Sequence, residues 1–147
     1  MIDPELRYQT ILAKIQEKGS RLTSHRIALL RLISVSEGHP SATQLYEKLR
    51  VQFPSISLST IYKTLALLKD KGEVLEIDLP DDNRYDGNKP FPHPHLICIR
   101  CNRIMDGEDV PALLTINQQI ADKYGFQVQS QQLIFYGVCS ECQSSSD

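Results

Sequence analysis

Tryptophan is absent from this chain of 147 residues, and all aromatics together make up 7% of it, so its core must be built mainly from aliphatic side chains. No apolar run approaches the roughly 18 residues that cross a bilayer, which excludes a helical membrane protein. The first residues, Met1-Ile2-Asp3-Pro4-Glu5, are acidic and carry no signal-peptide core. The expected location is therefore the cytoplasm. Cysteine is scarce, with four in the chain. A reducing compartment argues against disulfides, and so does the strain of bridging cysteines three apart. Net charge is only −2, which taken alone argues against nucleic acid as a partner.

What is present is unevenly distributed. Residues 1–71 hold 11 Lys/Arg against 6 Asp/Glu, a balance of +5, and residues 72–147 hold 5 against 12, a balance of −7. Such asymmetry points to a basic half that binds a polyanion and an acidic half with another task. The breaker-rich stretch between Pro80 and Pro92 separates them. We expect domains at 1–86 and 93–147, joined by a linker over 87–92.

All four cysteines lie in two Cys-x-x-Cys knuckles, Cys98/Cys101 and Cys139/Cys142. Two knuckles supply the four thiolates of a closed tetrahedral site, the arrangement structural Zn2+ favours. The 37 residues between Cys101 and Cys139 are more than a compact zinc ribbon needs. A folded segment must sit between the knuckles. Near the first knuckle stand harder ligands: Asp86, His93, His95 and Asp106. Imidazole with carboxylate suits Fe2+, Mn2+, Zn2+ or Co2+. A permanent sulfur site beside an exchangeable N/O site is the equipment of a metal sensor.

Periodicity predicts a first helix over residues 4–18 with Leu6, Ile11, Leu12 and Ile15 as its stripe, ended by Gly19. A second helix begins at Thr23 or Ser24, and a third opens on a capping box, Ser41 with Gln44, and runs to about Phe53. A fourth opens at Ser57 and buries Leu58, Ile61, Leu65 and Leu68. Its first turns offer Ser59, Thr60, Tyr62 and Lys63, which are groups that touch phosphates and base edges. A strand over Glu73–Leu79 and a partner over Asn83–Asp86 would form a wing, giving a winged helix-turn-helix.

The second half reads as a small α/β domain. The predicted elements are strands over His95–Arg100 and Asn102–Asp106, a helix over Pro111–Tyr124, and strands over Phe126–Gln129 and Leu133–Tyr136. Ser144 to Asp147 reads as a frayed tail. So small a sheet leaves edges that invite a second copy, and a homodimer would present two recognition helices to palindromic double-stranded DNA. The fold class is α+β.

Four motifs carry a resemblance over nearly the whole chain: Leu22-Thr23-Ser24-His25-Arg26, Ser57 to Leu65, His93 to Cys101, and Tyr136 to Cys142. The chain resembles the ferric uptake regulator superfamily, and within it the peroxide-responsive repressors. The resemblance implies a dimeric, metal-dependent repressor whose C-terminal domain dimerises. It implies a regulatory Fe2+ or Mn2+ site of three His and two Asp, here His39, Asp86, His93, His95 and Asp106. It implies that peroxide acting on the Fe2+ form oxidises His39 or His93, that the Mn2+ form is insensitive, and that Arg21, Tyr62 and Lys63 approach DNA. Pro94 is a departure from that pattern, and Glu108 is a second carboxylate close to Asp106. Gln131-Gln132 replaces a further histidine, which leaves no third metal site. A repressor responding to iron or zinc without ligand oxidation is the alternative within the class. A zinc hydrolase is the alternative outside it, but the chain has no nucleophile motif and no further general base beside the cluster.

Overall fold

A computed structural model describes residues 3–17, 19–89, 92–108, 110–129 and 131–145. Lys18 at the predicted end of the first helix, linker residues Pro90 and Phe91, and tail residues Ser146 and Asp147 lie outside the described set. The chain divides into two compact units, Met1–Phe91 and Pro92–Asp147.

The first unit contains α1 (Pro4–Glu17), α2 (Ser24–Val35), α3 (Ala42–Leu49) and α4 (Leu58–Asp70), then β1 (Leu75–Ile77) and β2 (Arg84–Asp86). Each of α2 to α4 starts at a side-chain cap. Thr23 accepts from the Arg26 N–H, Ser41 and Gln44 form the reciprocal capping box, and Ser57 accepts from the Thr60 N–H. Such caps satisfy backbone donors that a helix start leaves open. The core is aliphatic, as the missing tryptophan requires: Ile11, Ile15, Leu30, Ile33, Leu45, Ile61 and Leu68 are fully buried. β1 and β2 pair antiparallel as the wing, with Glu76 opposite Tyr85. This is the expected winged helix.

Several boundaries differ from expectation. The third helix stops at Leu49 because the chain tightens into turns, with the N–H groups of Gln52 and Phe53 both donating to the Leu49 carbonyl ahead of Pro54. Leu6 and Leu58 are exposed. Both sit in the first turn of their helices, and α1 buries Arg7 and Tyr8 instead while α4 adds Thr64. The first wing strand covers only Leu75–Ile77. Glu73 is drawn away into an ion cluster, and the Asn83 amide bridges Asp78 and the Leu79 N–H across the wing loop.

That cluster joins α1 to the end of α4. Glu73 is 1% exposed and receives Arg7 at 2.6 Å from one side and Lys14 from the other. Burial pushes the Glu73 carboxyl up, but hydrogen bonds from Lys14 and Arg7 outweigh it and leave the carboxyl below its ordinary value.

The second unit is a three-stranded sheet in the order β4-β3-β5, with β3 at Pro94–Cys98, β4 at Ile104–Asp106 and β5 at Leu133–Gly137. β3 pairs antiparallel with β4 and parallel with β5. α5 (Ala112–Tyr124) makes the crossover and ends on Gly125 in the left-handed conformation, where a side chain carries a steric cost. A short α6 (Ser140–Ser144), absent from the sequence reading, follows. The strand expected over Phe126–Gln129 is not formed. β4 and β5 occupy both edges of β3, and Phe126 is exposed. The strand expected over His95–Arg100 begins one residue earlier and stops at Cys98, where the knuckle turns. No helix among the described residues is long and apolar enough to cross a membrane.

Removing Glu73 leaves Arg7 buried without its counter-ion. Glu73→Ala is expected to lower the stability of the first unit by about 3–5 kcal/mol, measured by denaturant unfolding. Because the folded carboxyl is held down, its contribution is complete above the unfolded carboxylate pKa and fades as pH falls through the folded one. The stability gap between wild type and Glu73→Gln should therefore be flat above about pH 5 and shrink below it.

Candidate metal centres

The four cysteines meet in the second unit. The register of β3 with β5 sets Cys98 opposite Gly137, so the chain leaving β5 delivers Cys139 and Cys142 to the first knuckle. All four sulfurs lie within 4.8 Å of one another, and Cys101 Sγ and Cys139 Sγ are 3.8 Å apart. A tetrahedron with Zn–S bonds of about 2.3 Å has sulfur–sulfur edges of about 3.8 Å. The residues therefore fit zinc in number, chemistry and spacing. Asn102, at φ 58°, closes the first knuckle, its N–H donating to the Cys98 carbonyl. Two arginines that motif reading missed brace the knuckles from outside. Arg100 donates to the Cys142 carbonyl at 2.8 Å, and Arg103 makes a two-pronged pair with Glu141 at 2.7 and 2.8 Å. Hydrogen bonds from the backbone N–H groups of Cys139 and Cys101 lower the Cys98 thiol to about 6. A hydrogen bond to Cys139 and then burial push the Cys142 thiol up to about 12.

Both units supply N/O ligand types. In the first, His39 Nε2 faces Asp86 Oδ2 at 3.2 Å, and both residues are buried. The wing sets this pair. The Tyr85 N–H donates to the Pro40 carbonyl at 3.0 Å, and Ser41 bridges to Arg84, so β2 runs beside the His39-Pro40 break. His39 has φ 49°, a conformation that non-glycine residues adopt at a cost and that collects at functional sites.

In the second unit, His93 Nε2 lies 2.9 Å and His95 Nε2 3.5 Å from Asp106 Oδ1, with the two imidazole centroids 4.3 Å apart. Antiparallel register sets His95 opposite Asp106. Pro94 has a part in this. The Gly107 N–H donates to its carbonyl at 2.7 Å, and a Cβ on Gly107 would stand 2.8 Å from the Pro94 ring. The unusual proline thus packs where only glycine fits, which fixes Asp106 against both histidines. Glu108, the other carboxylate considered, is exposed. Neighbouring ligands of an octahedral ion at roughly 2.1 Å stand about 3 Å apart. The pair and the triad both fit a hard or borderline divalent ion, and neither alone fills its coordination.

The candidate nucleic-acid face is in the first unit. Ser59, Tyr62 and Lys63 are exposed on the first turns of α4. Thr60 is partly committed, its hydroxyl lying 3.0 Å from the Ser57 cap. Arg21, Thr60 and Lys63 line one cleft of about 470 Å3 together with His25 and Arg26. Arg26 was not singled out from the sequence, although it adds a cation to this cleft, with its guanidinium anchored on the Arg21 carbonyl at 2.9 Å.

Comparison with known proteins gives one answer. The family profile described as "Ferric uptake regulator family" matches residues 17–136. The peroxide-responsive repressor PerR of Staphylococcus aureus is 38% identical over 133 residues, covering 90% of this chain and 88% of that protein. Among solved structures, PerR from Streptococcus pyogenes superposes with a TM-score of 0.52 at 32% identity, covering 93% of each chain. The ferric uptake regulator of Helicobacter pylori reaches a TM-score of 0.77 at 21% identity, covering 99% of this chain and 97% of that one, a likeness of fold.

Elemental analysis of the purified chain should find one zinc that survives dialysis, and Cys139→Ser should lose it. Because thiolates must be free of protons to bind, retention is expected to fall as pH is lowered. Loss of zinc should melt the second unit while most helical signal, which comes from α1 to α4, remains. Zinc retained in full by Cys139→Ser would contradict the assignment.

Proposed function

Because the chain belongs to the ferric uptake regulator family, we propose that it is a metal-dependent transcriptional repressor that binds a palindromic DNA operator as a homodimer and responds to peroxide. The observation that carries this reading is the division of N/O ligands between the units: a His39–Asp86 pair at 3.2 Å in one, and His93 and His95 against Asp106 in the other. The pair offers too few ligands and the triad leaves positions open. One Fe2+ or Mn2+ taking ligands from both units would complete its shell and hold the DNA-binding unit at a fixed angle to the dimerising unit. An ion that binds only the DNA-competent arrangement shifts the population toward it. Structural zinc in the four-cysteine site keeps the second unit folded. The relatives are named as regulators, and the role assigned here is likewise regulatory rather than enzymatic, exercised in the cytoplasm.

Dimerisation has its own support. Leu96 lies in register with Met105 on one side and Phe135 on the other, and all three are exposed, as are Leu114 and Ile116 on α5. No residue of α5 is buried. An exposed apolar row of this kind on the sheet is the sort of surface that marks an interface, and in a symmetric pair the same patch meets itself.

DNA binding rests on the cationic cleft and the exposed start of α4. Arg21, Ser59, Thr60, Tyr62 and Lys63 are assigned to it, with Arg26 added. If Lys63 neutralises a phosphate, Lys63→Ala should weaken operator and non-operator DNA alike and reduce the salt slope by about 1, read from binding isotherms at several salt concentrations.

The ligand chemistry and the peroxide-responsive repressors among the similar proteins support a peroxide-sensing reading. A peroxide pulse on the Fe2+-loaded chain is expected to add one oxygen to the peptide carrying His39 or His93, with water as the other product and DNA release as the outcome. The Mn2+-loaded chain should remain unmodified. Peptide mass spectrometry of both forms decides it. A metal-filled Fe2+ form with no oxidised histidine would leave a reversible iron or zinc sensor of the same family.

A further inference from the structure

The four residues from the end of the wing onward, Asp86 to Lys89, are anchored more heavily than a linker requires. Asp86 Oδ1 accepts the N–H groups of Asn88 at 3.1 Å and Lys89 at 3.0 Å. This spends one carboxylate oxygen on the backbone and leaves Oδ2 as the atom facing His39. Gly87 lies so close to α2 that a Cβ would stand 2.7 Å from Ile33 Cγ1. The Asn88 amide donates to the Ser34 carbonyl of α2 at 3.2 Å. Arg7 of α1 donates through Nε to the Gly87 carbonyl at 2.7 Å, eighty positions away in sequence. Its remaining edge is held by Glu73, through the carboxylate at 2.6 Å and the backbone carbonyl at 2.5 Å.

We propose that Arg7, together with Asn88, is a positioning residue for the regulatory metal. It fixes the Asp86–Lys89 segment so that Asp86 presents a single oxygen beside His39. A carboxylate on a free linker would have to be ordered when the ion binds, at a cost in affinity. Here α1 and α2 order it beforehand. The planar guanidinium suits the task because its fork reaches the Gly87 carbonyl and Glu73 at once. A lysine ammonium presents its donors from one atom and does not span both. On this account α1 belongs to the sensing apparatus as well as to the scaffold. The proposal rests on the reading of Asp86 as a metal ligand.

The test is direct Mn2+ binding to the zinc-loaded full-length chain, with thermal stability of each variant recorded without Mn2+. Arg7→Lys and Asn88→Ala are expected to weaken Mn2+ binding roughly 10–100-fold, the usual effect of losing a residue that orients a ligand. Lys14→Met removes a partner of Glu73 but does not touch Gly87, and its Mn2+ affinity should stay at the wild-type value even if stability falls. Should Arg7→Lys fail to fold, Asn88→Ala carries the test, since it loosens the same segment without uncovering a buried charge. Wild-type affinity in folded Arg7→Lys or in Asn88→Ala overturns the proposal. So does equal weakening by Lys14→Met, which would mark a general loosening. Asp86→Asn separates the two levels. If it binds Mn2+ as wild type does, the ligand assignment itself falls. If it loses Mn2+ while Arg7→Lys and Asn88→Ala do not, only the positioning role falls.

Discussion

The contact between Asp86 and His39 constrains the first unit more than any other, because neither residue is comfortable where it stands. His39 sits buried in a left-handed conformation just before a proline, and Asp86 is a buried carboxylate at the end of a three-residue strand. Buried polar groups and strained backbone persist only where surrounding structure holds them. Here the wing supplies part of the hold by pairing β2 with the Pro40-Ser41 edge, and the Arg7–Gly87 anchor supplies the rest. The wing thus delivers a carboxylate to a histidine.

The second unit solves a different problem. It is small, its helix buries nothing, and several of its large apolar side chains are exposed. A unit of this size is marginal on hydrophobic burial alone. The four-sulfur cluster, reinforced by Arg103–Glu141 and by Arg100 on the Cys142 carbonyl, clamps the ends of β3 and β5 together. A second copy over the exposed Leu96–Met105–Phe135 row would finish the core. With β3 fixed, His95 and Asp106 come into register, and Gly107 against Pro94 sets the final approach. Each candidate carboxylate ligand is followed by a glycine with no room for a side chain: Asp86 by Gly87 and Asp106 by Gly107.

Much of this was legible in the sequence, and the reasons differ by residue. The caps at Thr23, Ser41 and Ser57 were readable because a cap is a local hydrogen bond. The knuckle cysteines were readable because their spacing is itself the chemistry. The candidate ligands His93, His95 and Asp106 flank one knuckle and could be found from the residues, whereas His39 lies far away and was suggested only by family resemblance. What failed was set by partners distant in sequence. Arg7 reads as a surface residue on a helix, and only the fold reveals Glu73 and Gly87 around it. Phe126 and Val128 alternate as a strand does, yet the segment joins neither edge of the β4-β3-β5 sheet and Phe126 stays exposed. Arg100 fills an unspecified place in its knuckle and Arg103 lies just beyond it, and their partners lie about forty residues on.

The central claim is that one ion, bound by ligands from both units, is what makes the chain competent for DNA. The most direct measurement is operator affinity of the zinc-loaded protein with and without Mn2+, in wild type and in Asp86→Asn and Asp106→Asn, one substitution in each unit. Mn2+ is expected to tighten wild-type binding by roughly 5–150-fold, the usual range for such coupling. Either substitution is expected to abolish the gain while leaving affinity without Mn2+ unchanged. A gain that survives either substitution would mean that the ion is held within a single unit, and the account would be contradicted.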